Sequence, residues 1–286
     1  YKECEGHPLL NWRDKGYKTL FNFIMKNKPL DVEKKIQLNK EVCNISWSDH
    51  SREHLIVKCS DGSSYDCDHV ICTVSLGVLK ENYRTLFTPQ LPAIKTNAIE
   101  GLSIGTVDKI FLQFDKPFWD KDWAGFSLLW TQKDSEEIRK TNDAWLEDIF
   151  GFYKVDYQPN ILCGWIGGPS ARKMETLDDS TVYDGCMLRF KKFLGSSIPW
   201  TKPVKIIRSS WYTNKHFRGS YSFRSVTTDA LRTSAKDLSL PLYDVLGKPA
   251  LLFAGEATHD HYFSTVHGAI VSGYREADRL AAFYSK

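Results

Sequence analysis

A glycine, an acid and, eight residues beyond the acid, a serine–threonine pair give residues 251–280 their chemical interest: LLFAGEATHDHYFSTVHGAIVSGYREADRL. Glu256 puts a hydrogen-bond acceptor directly behind Gly255, and Ser264 and Thr265 stand where a helix N-cap would. The positive end of that helix and its unpaired N–H groups then point at whatever occupies the loop. Together these groups make a cradle for the electron-rich edge of a cofactor. The elements that must position them are legible. Ala250-Leu251-Leu252-Phe253-Ala254 has the length and composition of a buried strand, and it stops at Gly255. From Thr265 the spacing is helical, with Ala269, Gly273 and Ala277 on one face at steps of four and Leu280 one turn later. That face is almost bare of side chain. Glycine inside a helix costs about 1 kcal/mol against alanine, so Gly268 and Gly273 point to close approach by another backbone or a flat ligand. The same run also suits a strand and helix packed in an ordinary α/β core.

Upstream, Leu20, Phe21, Phe23 and Ile24 mark an amphipathic helix of roughly three turns ending before Pro29. A β-meander follows: Val42, Ile45 and Trp47 precede a turn at Ser48-Asp49-His50-Ser51, and Leu55-Ile56-Val57 precede another at Asp61-Gly62-Ser63. Val70-Ile71-Cys72-Thr73-Val74 reads as a short buried strand, and residues 94–99 as helical. In Gly105-Thr106-Val107-Asp108-Lys109-Ile110-Phe111-Leu112-Gln113-Phe114 the alternation predicts a strand with Lys109, Phe111 and Gln113 on one face and Ile110, Leu112 and Phe114 on the other. By pattern alone Lys109 is a solvated lysine. Residues 120–157 read as a polar, Trp-rich, irregular segment with a charged helical piece near 135–140. Residues 161–168 read as a strand and turn, and 178–194 as a helix with Val182, Cys186, Phe190 and Phe193 in a core stripe. A strand over 204–209 then leads into the aromatic segment Trp211 to Phe223.

With 286 residues and 42% hydrophobic content, the chain can bury a sizeable core, as one large domain or two modest ones. A net charge of +3 and the lack of a Lys/Arg block give no footprint for nucleic acid. No run reaches transmembrane length, and no signal peptide opens the chain. Seven scattered cysteines form no metal pattern, so no metal is expected and reduced thiols in an intracellular compartment are. No G-x-G-x-x-G opens a helix after a strand.

The string Phe253-Ala254-Gly255-Glu256-Ala257-Thr258-His259, then Tyr262-Phe263-Ser264-Thr265-Val266-His267-Gly268-Ala269, then Ser272-Gly273 and Arg275-Glu276-Ala277 resembles the C-terminal flavin motif of the FAD-dependent amine oxidases, in particular the polyamine oxidases. Three further stretches resemble the family in its own order. They are Leu38 to Val42 with Val70 to Lys80, Gly105 to Phe114 with Asp115-Lys116-Pro117-Phe118-Trp119, and Trp211 with Arg218-Gly219-Ser220-Tyr221. The resemblance implies a mixed α/β, two-domain fold, with residues 1–78 and 205–286 in the FAD-binding domain and 79–204 in the substrate-binding domain. It also implies that the family's Gly-rich βαβ unit lies outside this chain, which would be the C-terminal portion of a longer protein. As implied cofactor contacts stand Val42, Thr73, Trp211, Gly255, Glu256, Thr265 and Val266; as substrate contacts Tyr221, Ser264 and Thr265; and as the catalytic residue Lys109, holding a water at the reactive flavin nitrogen. The implied reaction is oxidation of a polyamine by hydride transfer to FAD, with O2 as the second substrate and hydrogen peroxide among the products. A monomer is expected, and a cytoplasmic rather than peroxisomal setting, because Tyr284-Ser285-Lys286 is not the peroxisomal tripeptide. A flavin-type histone lysine demethylase shares Lys109 and the Arg-Gly-Ser-Tyr segment, and a non-catalytic homologue acting as a binding module is a further alternative.

Overall fold

In the computed structural model, which describes residues 12–26, 32–48, 54–196 and 198–285, the chain divides into two units. The first joins Tyr1–Ser103 to Ser222–Lys286; the second is Ile104–Tyr221. The divisions fall later than the 78/79 and 204/205 boundaries expected from the sequence, and pairing explains why. Strand Phe87–Thr88 adds in parallel to Val42–Ser46, and Lys95, on the helix Ala93–Gly101, bonds carbonyls of residues 237, 238 and 240. Residues 79–103 are thereby tied into the first unit. Strand Lys205–Arg208 pairs with Val107–Gln113 and so belongs to the second.

The first unit contains a four-stranded sheet in the order Ser64–Cys67, Leu55–Cys59, Val42–Ser46, Phe87–Thr88. Its first three strands are the expected meander. The turn anticipated at residues 48–51 falls largely outside the described residues, as does Pro29; the helix before it, Lys18–Met25, is two turns rather than three. A second sheet sets Pro249–Phe253 between Leu242–Tyr243 and Val70–Cys72. All five residues of Pro249–Phe253 are buried, as a continuous apolar run demands of a strand covered on both faces. Its neighbour is less enclosed than the sequence suggests, since Ile71 is 38% exposed. The two strands run parallel, Phe253 opposite Cys72, so residues 73 and 255 leave the same end of the sheet.

The C-terminal helix, Val266–Tyr284, buries Gly268, Ser272 and Glu276. The buried stripe keeps the period of four of the Ala269, Gly273, Ala277 face but lies one residue ahead of it, and polar groups fill it. Ser272 Oγ accepts from Gly255 N at 2.8 Å, and Glu276, fully buried, bonds Arg275 and Arg279 at 2.5 and 2.9 Å. A buried carboxylate is tolerated when paired in this way, but a search for apolar periodicity passes over it.

The second unit is a five-stranded antiparallel sheet in the order Lys205–Arg208, Val107–Gln113, Gln158–Gly167, Ile149–Val155, Gly125–Ser127. Ile110, Leu112 and Phe114 face the core with no exposure, beside Phe152, Leu162 and Ile166. Helix Asp179–Phe193, capped by Asp178, closes that core with Val182, Cys186 and Phe190. The Phe190 ring lies 5.0 Å from Phe152 and 5.6 Å from Phe126, edge to face, a favourable aromatic geometry. Strand Ile149–Val155 lies inside the segment that reads as irregular; the glycine at 151 interrupts its alternation.

Candidate active site

Each unit holds part of the anticipated site. Val42, Thr73, Gly255, Glu256, Ser264, Thr265 and Val266 belong to the first unit, and Lys109, Trp211 and Tyr221 to the second.

In the first unit, the chain leaving the buried strand turns at Gly255 with φ +135°, a region closed to residues with a Cβ. A Cβ built there would meet no atom within 4 Å. The glycine is thus required by its backbone, and the space beside it is open to a ligand. The Glu256 carboxylate accepts three hydrogen bonds, from Ser222 N (3.0 Å), Ser222 Oγ (2.7 Å) and Ser264 N (2.5 Å). Ser264, itself at φ +64°, donates its hydroxyl to the Ser222 carbonyl. Thr265 caps the C-terminal helix as anticipated: its Oγ1 accepts from Gly268 N at 3.1 Å and donates to the Tyr262 carbonyl at 2.6 Å. Both hydroxyls proposed as substrate contacts are therefore engaged inside the loop, leaving backbone and helix dipole to face a ligand. Gly268 owes its small size to the same loop, since a Cβ would stand 2.0 Å from the Tyr262 carbonyl oxygen; Gly273, with nothing within 4 Å, lies open. Thr73 is exposed, Val266 is 45% exposed at the first helical position, and Val42, 37% exposed, begins its strand. His259 Nδ1 accepts from His261 N and Tyr262 N at 3.2 and 3.0 Å, and burial, reinforced by the nearby Arg275 charge, holds its pKa below the ordinary value.

In the second unit Lys109 lies on the face predicted for it, half-buried, opposite Trp165 of the neighbouring strand. Its Nζ sits 4.5 Å from the Trp165 ring centroid, within the range of a cation–π contact. Its backbone is fixed by Ser209: Lys109 N donates to Ser209 Oγ (2.8 Å) and Ser209 N donates to the Lys109 carbonyl (3.0 Å). The Arg218-Gly219-Ser220-Tyr221 segment lies along residues 104–107. Gly105 N donates to the Tyr221 carbonyl at 2.9 Å, and Val107 N to Ser220 Oγ at 3.0 Å. A Cβ on Gly219 would approach Ile104 and the Gly105 carbonyl within 3 Å, so glycine is what allows this contact. Trp211 and Tyr221 are 38% and 40% exposed, the former edge-on to Phe217 at 5.1 Å. His216 lies in the same loop, exposed, its N–H bonded to Asn214.

Sequence reasoning passed over Asp108, Glu175 and Ser209. Asp108 has no exposed surface; its Oδ1 accepts from Ser209 Oγ at 2.7 Å. The signal was present: the alternation that puts Ile110, Leu112 and Phe114 in the core puts an acid in line with them.

The sequence model described as "Flavin containing amine oxidoreductase" matches residues 5–281, and the chain belongs to that family. It is 35% identical over 283 residues to the human peroxisomal N(1)-acetyl-spermine/spermidine oxidase, covering 95% of this chain and 55% of that protein. It is 32% identical to probable polyamine oxidase 5 of Arabidopsis thaliana (94% and 55% covered). To a possible lysine-specific histone demethylase 1 of Drosophila melanogaster it is 31% identical (87% and 28% covered). Among solved structures, a double mutant of putrescine oxidase matches with a TM-score of 0.62 at 16% identity, over 88% of this chain and 50% of that one. The chain spans about half the length of the polyamine oxidases it matches.

Proposed function

We propose that the protein bearing this chain is an FAD-dependent polyamine oxidase acting on spermine, spermidine or their acetylated forms. The observation that carries this reading is the family match over residues 5–281, and the open cradle at Gly255 and Glu256 fits the cofactor of that family. Bound FAD would supply a two-electron acceptor for the hydride beside the amine nitrogen, with dioxygen as the final oxidant. The chain's own residues do the rest. The Glu256 loop would hold the cofactor, and the N-terminus of helix Val266–Tyr284 would favour negative charge on it. Gly255 and Val266 would allow close backbone approach, Val42 and Thr73 would contact the cofactor through their backbone, and Trp211 would offer it an aromatic face. Lys109 holds a water and carries a proton at Nζ, oriented by Ser209 and Trp165. Tyr221 presents an aromatic face to the substrate amine. Hydrolysis of the imine product gives an aldehyde and an amine, and dioxygen leaves as hydrogen peroxide.

A second reading, oxidation of a methylated lysine side chain, is favoured by the likeness to the Drosophila demethylase-type protein. Anaerobic mixing of the full-length protein with spermine, acetylspermine and a dimethyl-lysine peptide separates the two. Bleaching of the oxidised flavin band by a polyamine supports the first, and bleaching by the peptide alone replaces it. A yellow protein that none of them bleaches leaves a different amine as substrate, and a colourless protein is a binding module.

A further inference from the structure

Asp108 and Glu175 form a buried acid pair that ordinary salt-bridge logic does not explain. Asp108 is fully buried, and while its Oδ1 receives the Ser209 hydroxyl, its Oδ2 is sealed from solvent with no donor. Within hydrogen-bond reach of the Asp108 carboxyl are the Trp211 N–H and the carboxyl of Glu175, the last residue of helix Gly168–Glu175. Both oxygens of Glu175 accept from the backbone: Oε1 takes Tyr212 N at 2.9 Å and Oε2 takes Thr213 N at 2.6 Å. Two carboxylates facing each other in a desolvated site repel; two carboxyls with one proton between them attract.

We propose that Asp108 and Glu175 share one proton and so clamp residues 209–213 onto the strand that carries Lys109, acting as positioning residues. Asp108 holds Ser209, and Ser209 fixes both backbone polar groups of Lys109. Glu175 holds the two N–H groups that follow Trp211. The proton stays on Asp108, because Glu175 receives backbone donors that favour its ionised form. Burial first, and the hydrogen bond to Glu175 next, push Asp108 up to about 7, while hydrogen bonds from Asp108, Thr213 and Tyr212 outweigh burial to keep Glu175 low. The other charged groups around the pair have partners elsewhere. On the Asp108 strand, Lys109 points to the opposite face, over Trp165. On the Glu175 helix, Arg172 donates to Thr106 Oγ1 at 3.0 Å and lies over the Tyr212 ring at 4.1 Å. From strand Lys205–Arg208, Arg208 is turned to Asp179 and the Met174 carbonyl at 2.7 and 2.8 Å. Removing the shared proton leaves two anions without a counter-ion, and the loop has to open.

The bearing on amine oxidation rests on the function proposed above, but the clamp is tested without it. Amide-exchange protection of Tyr212 and Thr213, corrected for intrinsic rates, is followed by NMR in the full-length protein from pH 5.5 to roughly 9. With one proton linked to opening, protection falls by up to about tenfold per pH unit as pH rises toward the folded value of about 7 and levels off above it. In Asp108→Asn the amide donates to Glu175 permanently and its oxygen still accepts from Ser209, so protection persists through alkaline pH. In Asp108→Ala it is low throughout. A flat wild-type profile, or an Asp108→Asn profile that falls as the wild type does, overturns the proposal; if Asp108→Ala does not fold, these two profiles still decide it. The alkaline limb of flavin reduction by spermine should move upward in Asp108→Asn, in kcat rather than KM. No bleaching in any variant, with the amide result intact, would remove the polyamine reading and leave the clamp.

Discussion

Two acids, Glu256 in the first unit and Asp108 in the second, each tie a loop to a strand end, and they do so by opposite means. Glu256 is surrounded by donors: a hydroxyl and two backbone N–H groups converge on it. Asp108 meets the Ser209 hydroxyl, the Trp211 N–H and one other acid. The same chemical group is met by donors in the first setting and holds its loop only with a proton in the second. The cradle at Glu256 is therefore built for constancy, and the strand beside Lys109 carries a titratable joint.

The contrast is broken most severely at Lys109. Lys109→Met keeps the stem and removes the proton carrier, so reduction of flavin by a polyamine should slow by roughly a hundredfold or more, while the visible spectrum of the bound cofactor is unchanged. Rapid-mixing absorbance measures both. A rate within threefold of wild type would take Lys109 out of the chemistry and return it to the solvated strand lysine of the sequence pattern.

Glu256→Ala probes the opposite side. It strips Ser222 N and Ser264 N of their acceptor, and leaving such groups unmet destabilises by about 1–3 kcal/mol. The unfolding free energy from denaturant titration should fall by that amount at all pH values from 6 to about 8, and flavin should be lost on gel filtration. A stability loss with full flavin retention would confine Glu256 to the loop's architecture.

Asp108→Asn sharpens the comparison through its sign. An acid whose folded pKa is raised contributes stability that is fully present below its unfolded value near 3.9 and is lost as pH rises through about 7. Wild type should therefore lose stability between pH 5.5 and about 8 where Asp108→Asn does not, a difference of about 1 kcal/mol after relaxation of the loop. Equal slopes in equilibrium denaturation would mean that the pair does not titrate in this window.

How far these features can be read from sequence depends on what encodes them. Alternation in residues 107–113 and the run 250–254 gave their strands directly, because burial of apolar side chains at a fixed period is what makes those strands. Gly255, Thr265 and the helix they precede were likewise legible, since backbone conformation and capping restrict residue type locally. Polar burial was not legible in the same way. The Gly268, Ser272, Glu276 stripe carries no apolar signal, yet it is the packed face of its helix. Glu175 lies 67 positions from Asp108, and only the antiparallel sheet and the helix after it bring the two together. The domain boundaries were displaced for a related reason: a two-residue strand, Phe87–Thr88, and a single lysine at position 95 decide the allegiance of residues 79–103, and neither has a composition that stands out.

The smallest effect is expected at His259, a titratable group in the loop of the cradle. Its Nδ1 accepts two backbone N–H groups of the loop that leads to Ser264, which requires that nitrogen to be unprotonated. Burial, then the Arg275 charge, depresses its pKa. For a base so depressed, the stabilisation is present above the unfolded value near 6.5 and is lost as pH falls through the lower folded value. Asparagine at this position can accept from the same two N–H groups, as in an Asx turn, and it does not titrate. His259→Asn should therefore match wild type at pH 7.5 within about 0.5 kcal/mol and exceed it at pH 5, with the amides of His261 and Tyr262 retaining their protection only in the variant. If both proteins lose stability in parallel on acidification, protonation of His259 is not what loosens the loop, and Glu256 and Thr265 hold it.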